Sequence, residues 1–305
     1  MSKTVLQVKN LSKQVGKKKI LRSINFEVFE GEVFGLLGPN GAGKTTIIRS
    51  IVSLIRRNSG KVLINGKDVS EDFKGTISEI GAIIENPEFY MHLSGWENLQ
   101  QFARMSRKDI SEDWLKEVVA RVKLSDAIHQ KVKTYSLGMR QRLGLAQALL
   151  HKPAILILDE PTNGLDPQGM AEFREIIREL SAQGTSVLIS SHLLSEVQQI
   201  TDRFAIIDKG ELTHIEKISD VEEEAHSKYF FKVSDTTAAA IVFQSLSLPS
   251  KNSEKGCLEV VVSEQQVPQV IEALVAQSVG IFAVFAKTAS LEERFLELTN
   301  GGQGI

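Results

Sequence analysis

The chain has 305 residues, with 36 basic against 38 acidic side chains and a net charge of −2. That length accommodates two domains, and the balanced charge excludes the basic excess of a phosphate-backbone binder, so no nucleic-acid partner is expected. Apolar residues at 42% and charged residues at 24% exclude a disordered or low-complexity chain, and the single cysteine, Cys257, excludes an internal disulfide.

Met1 to Asn10 lacks the apolar core of a secretory signal. No apolar run nears the ~20 residues of a membrane helix; work at a membrane would need another chain to supply the span. Thr4 to Lys9 and Ile24 to Phe29 alternate as strands. Val33 to Leu37 is continuously apolar, as in a strand buried on both faces. It runs into Gly38-Pro39-Asn40-Gly41-Ala42-Gly43-Lys44-Thr45-Thr46, followed by a helical pattern to Ile55. Lys61 to Ile64, Asn65-Gly66 and Lys67 to Val69 predict a hairpin, and Ile80 to Ile84 a strand.

Residues 86–150 read as a helical insertion. Ser94-Gly95-Trp96-Glu97 is a capping-box pattern opening a helix to about Met105; Trp114 to Val122 and Gln141 to Leu150 are further helices. Beyond Pro153 come a buried strand (Ala154 to Leu158), a helix (Gly169 to Leu180), a strand (Ser186 to Ser190), a helix (Leu193 to Ile200) and strands Phe204 to Asp208 and Glu211 to Ile215. Alternating strands and helices imply a mostly parallel sheet. Residues 1–220 are expected to form one domain. Val221 to His226 reads as a linker, and 221–305 as a small α+β accessory domain with strands at Tyr229 to Val233, Cys257 to Val262 and Ile281 to Ala286. Its helices are expected at Thr237 to Gln244, at Glu264 to Ala276, and after Ser290.

Gly38 to Thr45 fits G-x-x-x-x-G-K-[ST] between a strand and a helix, the context of a phosphate-binding P-loop. Glycines let backbone N–H groups converge on phosphates, and the helix N-terminus adds positive partial charge. Lys44 reaches the β and γ phosphates and the Thr45 hydroxyl ligates Mg²⁺. Asp159-Glu160 closes an apolar strand, where Asp159 completes the Mg²⁺ site and Glu160 polarises the attacking water. The expected ligands are therefore ATP and Mg²⁺, and the fold class is α/β: a P-loop NTPase core with an antiparallel β subdomain, a helical insertion and the small C-terminal domain.

In this order the segments resemble the ATP-binding cassette ATPases across residues 4–216. Tyr135 and Ser136-Leu137-Gly138-Met139, then Arg140-Gln141-Arg142, resemble the family's signature motif, which implies that Ser136, Leu137, Gly138 and Met139 complete the ATP pocket of an opposite subunit. Gly164-Leu165-Asp166-Pro167 resembles the D-loop at the dimer interface, with Asp166 its acid. His192 resembles the switch histidine at the γ-phosphate, so Lys44, Glu160 and His192 are the catalytic set. Two departures stand out. Glu85 takes the place of a glutamine at the entry to the insertion, as in exporters that clear lantibiotic-type peptides. Val15 takes the place of the adenine-stacking aromatic. Leu137 and Met139 also replace a glycine and a glutamine of the signature.

One P-loop and one signature per chain imply a head-to-tail homodimer closing on two Mg-ATP. The resemblance implies the ATP-hydrolysing subunit of an exporter for peptide or antibiotic-like cargo, with a separate permease chain. It would be peripheral, at the cytoplasmic face of the cell membrane. The C-terminal domain is similar to the extra domain of bacitracin-type exporters. The alternative is a soluble cassette ATPase acting on the ribosome or nucleic acid, which the single cassette and acidic balance disfavour.

Overall fold

A computed structural model describes residues 3–221, 228–253 and 257–286, and these described residues divide into two compact units between Glu216 and Lys217. In the first unit an antiparallel sheet is ordered β2-β1-β4-β5, from β1 (Thr4–Val15), β2 (Lys18–Phe29), β4 (Ser59–Ile64) and β5 (Lys67–Asp68). The β4–β5 turn places Asn65 and Gly66 at φ 47° and 81°. Two successive positive φ values are what a tight primed turn requires, and Asn-Gly supplies them at least cost.

The second sheet is ordered β10-β9-β3-β8-β7-β6. Its strands are β3 (Val33–Leu37), β6 (Ile80–Ile83), β7 (Ile155–Asp159), β8 (Ser186–Ser191), β9 (Arg203–Asp208) and β10 (Glu211–Lys217). β9, β3, β8, β7 and β6 run parallel. Every residue of β3, β7 and β8 is buried, which explains the apolar runs Val33 to Leu37, Ile155 to Leu158 and Val187 to Ile189.

Each face of this sheet supports its own core. One holds Ile47, Ile48 and Ile51 of α1 (Lys44–Ile51) with Phe34, Leu36 and Ile157 and the antiparallel sheet. The other holds Leu156, Leu158 and Val187 with Phe173 and Ile177 of α6 (Pro167–Ala182), and with the insertion helices α3 (Gly95–Met105), α4 (Glu112–Arg121) and α5 (Leu137–Leu149). Each such side chain contributes about 1.5–3 kcal/mol on burial. The expected capping box of α3 is complete: Ser94 Oγ accepts from the Glu97 amide at 3.2 Å, and Glu97 Oε2 accepts from the Ser94 amide at 2.7 Å. Two short helices, α2 (Phe73–Ile77) and α7 (Leu194–Gln198), complete the unit.

The second unit runs β11 (Lys228–Val233), α8 (Thr236–Ser245), β12 (Ser250–Asn252), β13 (Leu258–Val261), α9 (Val267–Ala276), β14 (Ile281–Ala286). Its antiparallel sheet is ordered β12-β13-β11-β14, so this is a split β-α-β arrangement. Phe231, Phe243, Val260 and Leu274 form its core, separate from the other two. The helix expected after Ser290 lies outside the described residues.

Candidate active site

Parallel strands present their carboxyl ends along one edge of the sheet, where ligand crevices form. Four loops leave that edge: the glycine-rich loop after β3, Glu85 after β6, Glu160 after β7 and His192 after β8.

Lys44 is buried, and its Nζ donates to the carbonyls of Gly38 (2.6 Å) and Pro39 (3.4 Å). Gly43 at φ 117° caps α1 with no side-chain acceptor, so the first amides of α1 keep their donors free. A Cβ at Gly38 would lie 2.2 Å from the Ile207 carbonyl, and one at Gly43 2.8 Å from Leu21, so glycine is required at both. Pro39, Asn40 and Gly41 form the exposed rim of the loop, Ala42 is buried beneath it, and Thr45 and Thr46 are half-buried at the helix start.

Glu160 joins the loops. Its Oε1 lies 3.2 Å from Lys44 Nζ and its Oε2 2.7 Å from His192 Nδ1. Its backbone is left-handed at φ 48°, an uncommon state for a residue with a Cβ. Ser190 stabilises this turn: its hydroxyl donates to Asp159 Oδ1 at 2.6 Å and accepts from the Glu160 amide at 2.9 Å. Thr162 Oγ1 donates to Glu196 at 2.6 Å, tying the segment after Glu160 to α7. Lys44, Asp159, Glu160 and His192 thus stand together, while Glu85 stands at the next strand, paired with Arg49 of α1.

The signature residues stand apart from this group. Ser136 is exposed and caps α5, its Oγ accepting from the Met139 amide at 3.2 Å. A Cβ at Gly164 would lie 3.1 Å from Leu137, so the D-loop segment and the signature are neighbours. Asp166 caps α6, accepting from the Gly169 amide at 2.9 Å. Val15 is 61% exposed.

Residues 21–163 match the family described as ABC transporter. The ABC transporter ATP-binding protein YhcH of Bacillus subtilis (strain 168) is 50% identical over 97% of this chain and 96% of its own. The chain belongs to the ABC transporter ATP-binding family. As a member of it the chain is an ATPase that binds nucleotide. The bacitracin transport ATP-binding protein BcrA of Enterococcus faecalis is 36% identical over 98% of this chain and 97% of its own. The lantibiotic transport ATP-binding protein SrtF of Streptococcus pyogenes is 40% identical over 68% of this chain and 89% of its own. Among solved structures, an ATP-binding subunit of an ABC transporter superposes with a TM-score of 0.64 at 28% identity, covering 72% of this chain and 92% of its own.

Sequence reasoning on this ABC ATPase missed Ser190 and Arg49. Ser190 had a signal, a buried polar residue at the end of an apolar strand beside the Asp159 strand. Arg49 had none, because its partner lies 36 residues away across a strand and a loop.

Proposed function

We propose that two copies of this chain close head-to-tail on two Mg-ATP and hydrolyse them to drive an exporter whose permease is a separate chain. The observation that carries this reading is Glu160, which contacts Lys44 and His192 at once. In this arrangement Lys44 leaves the Gly38 carbonyl for the β and γ phosphates, and the amides of Gly41 to Thr46 surround them. Glu160, released by Lys44, accepts a hydrogen bond from the attacking water, and His192 orients the carboxylate through its Nδ1. Thr45 and Asp159 would hold Mg²⁺. Both offer oxygen donors, which suit a hard cation whose remaining ligands are phosphate oxygens and water. When bound, the cation neutralises charge developing on the phosphates. Ser136, exposed at the start of α5, binds the γ-phosphate of the partner's nucleotide.

The relatives named for bacitracin and lantibiotic transport support a peptide or antibiotic-like cargo, and residues 221–305 serve as an accessory domain. No helix among the described residues is long and apolar enough to cross a membrane, in line with peripheral attachment at the cytoplasmic face. Glu160→Gln tests the engine. Turnover should fall about a hundred- to ten-thousand-fold, and size exclusion should reveal a dimer that forms only with ATP. A persistent monomer at saturating ATP overturns the shared-pocket scheme, and the absence of a co-purifying integral membrane protein overturns the exporter assignment.

A further inference from the structure

Glu85 follows β6 by two residues and has a backbone φ of 66°. Its side chain is tied to α1, where Arg49 Nη2 is ion-paired with Glu85 Oε1. Arg49 stands four residues after Thr45 on α1, on the same face one turn further along. The two residues after Glu85 grip α5. Asn86 Oδ1 accepts from Gln141 Nε2 at 3.4 Å, and Pro87 packs so closely on Gly144 that a Cβ there would lie 2.9 Å from the proline ring. Gln141 is 2% exposed, yet its Oε1 has no hydrogen-bond partner. A long bond beside an unpaired buried acceptor is a contact that a small loop shift would remake.

We propose that Arg49 is a positioning residue: its ion pair with Glu85 sets the loop after β6 and, through Asn86 and Pro87, the placement of α5 and its cap Ser136. This deepens the function proposed above and rests on it, since that reading gives Ser136 to the partner's nucleotide. The two side chains are 39% and 68% exposed, so the pair adds little to stability. Its consequence is positional. Losing the guanidinium frees the loop and leaves the glycine-rich loop intact.

In the full-length protein, Arg49→Ala and Glu85→Ala should each lower kcat at least about threefold, with ADP affinity by equilibrium titration unchanged. The double variant should fall no further than the weaker single variant, because both remove one contact. Arg49→Lys, which keeps a cation in reach, should retain most of the activity. Hydrogen exchange at Asn86 and in the first turn of α5 should quicken in both single variants, a readout independent of turnover. Wild-type kcat in Arg49→Ala, or losses that multiply in the double variant, overturns the proposal. Glu160→Gln separates the two failures. If that variant keeps turnover, the site assignment itself falls. If it abolishes turnover while the Arg49 and Glu85 losses multiply, only the role of Arg49 falls.

Discussion

At the scale of single residues, Ser190 has the most consequence for its size. Its one hydroxyl serves both a buried Asp159 oxygen and the amide of Glu160 in its left-handed turn. Ser190→Ala strands both groups, and an unsatisfied buried polar group costs about 1–3 kcal/mol. A fall in the melting temperature together with a lower kcat is expected, whereas a residue that merely filled space would move the first and spare the second. Asp68 gives a pH signature. Burial raises its carboxyl, but hydrogen bonds from the Ser70 hydroxyl and amide and the charge of Arg57 outweigh burial and hold it below the ordinary 3.8. A carboxyl lowered on folding stabilises the fold above its unfolded value and loses that contribution as pH falls through the folded one. Asp68→Asn should therefore be less stable than the native protein at neutral pH, and denaturant melts should show the gap closing in acid.

At the scale of elements, Gly144 on α5 sets two effects against each other. Alanine would gain about 0.5–1 kcal/mol of helix propensity. Its Cβ would stand 2.9 Å from Pro87 and 3.2 Å from Ile83, and overpacking of that kind costs about 1–3 kcal/mol. Packing wins, so Gly144→Ala should lower the urea midpoint although it improves the helix. The same competition explains what could be read from the sequence. Apolar runs and caps are local, so the strands Val33–Leu37 and Ile155–Asp159 and the box opening α3 were legible, as was the glycine-rich loop. Boundaries set by tertiary contact were not. α6 begins at Pro167 because Asp166 caps it, two residues before the apolar pattern starts. The strand read as Thr4 to Lys9 extends to Val15 because β2 pairs along its whole length. α2 and β12, of five and three residues, are too short to carry a period. Within the site, the loops that bear chemistry were legible, whereas the ties between them, through Ser190 and Arg49, exist only once distant strands are side by side.

At the scale of the whole molecule, the described chain holds two units whose cores share no residue. Only the first contains the glycine-rich loop. A ligand that binds the native state alone stabilises what it binds by mass action, so Mg-ADP should raise the melting temperature of the first unit and leave the second where it was. Phe231, fully buried in the second core, gives the complementary perturbation. Phe231→Ala should cost that unit about 3–5 kcal/mol, enough to separate its transition from the other in calorimetry. ADP affinity should stay native, because the glycine-rich loop belongs to the first unit and Phe231 to the second. A single transition that moves as one under both perturbations would mean that the two cores unfold together, and the second unit would then be part of the ATPase fold rather than an accessory to it.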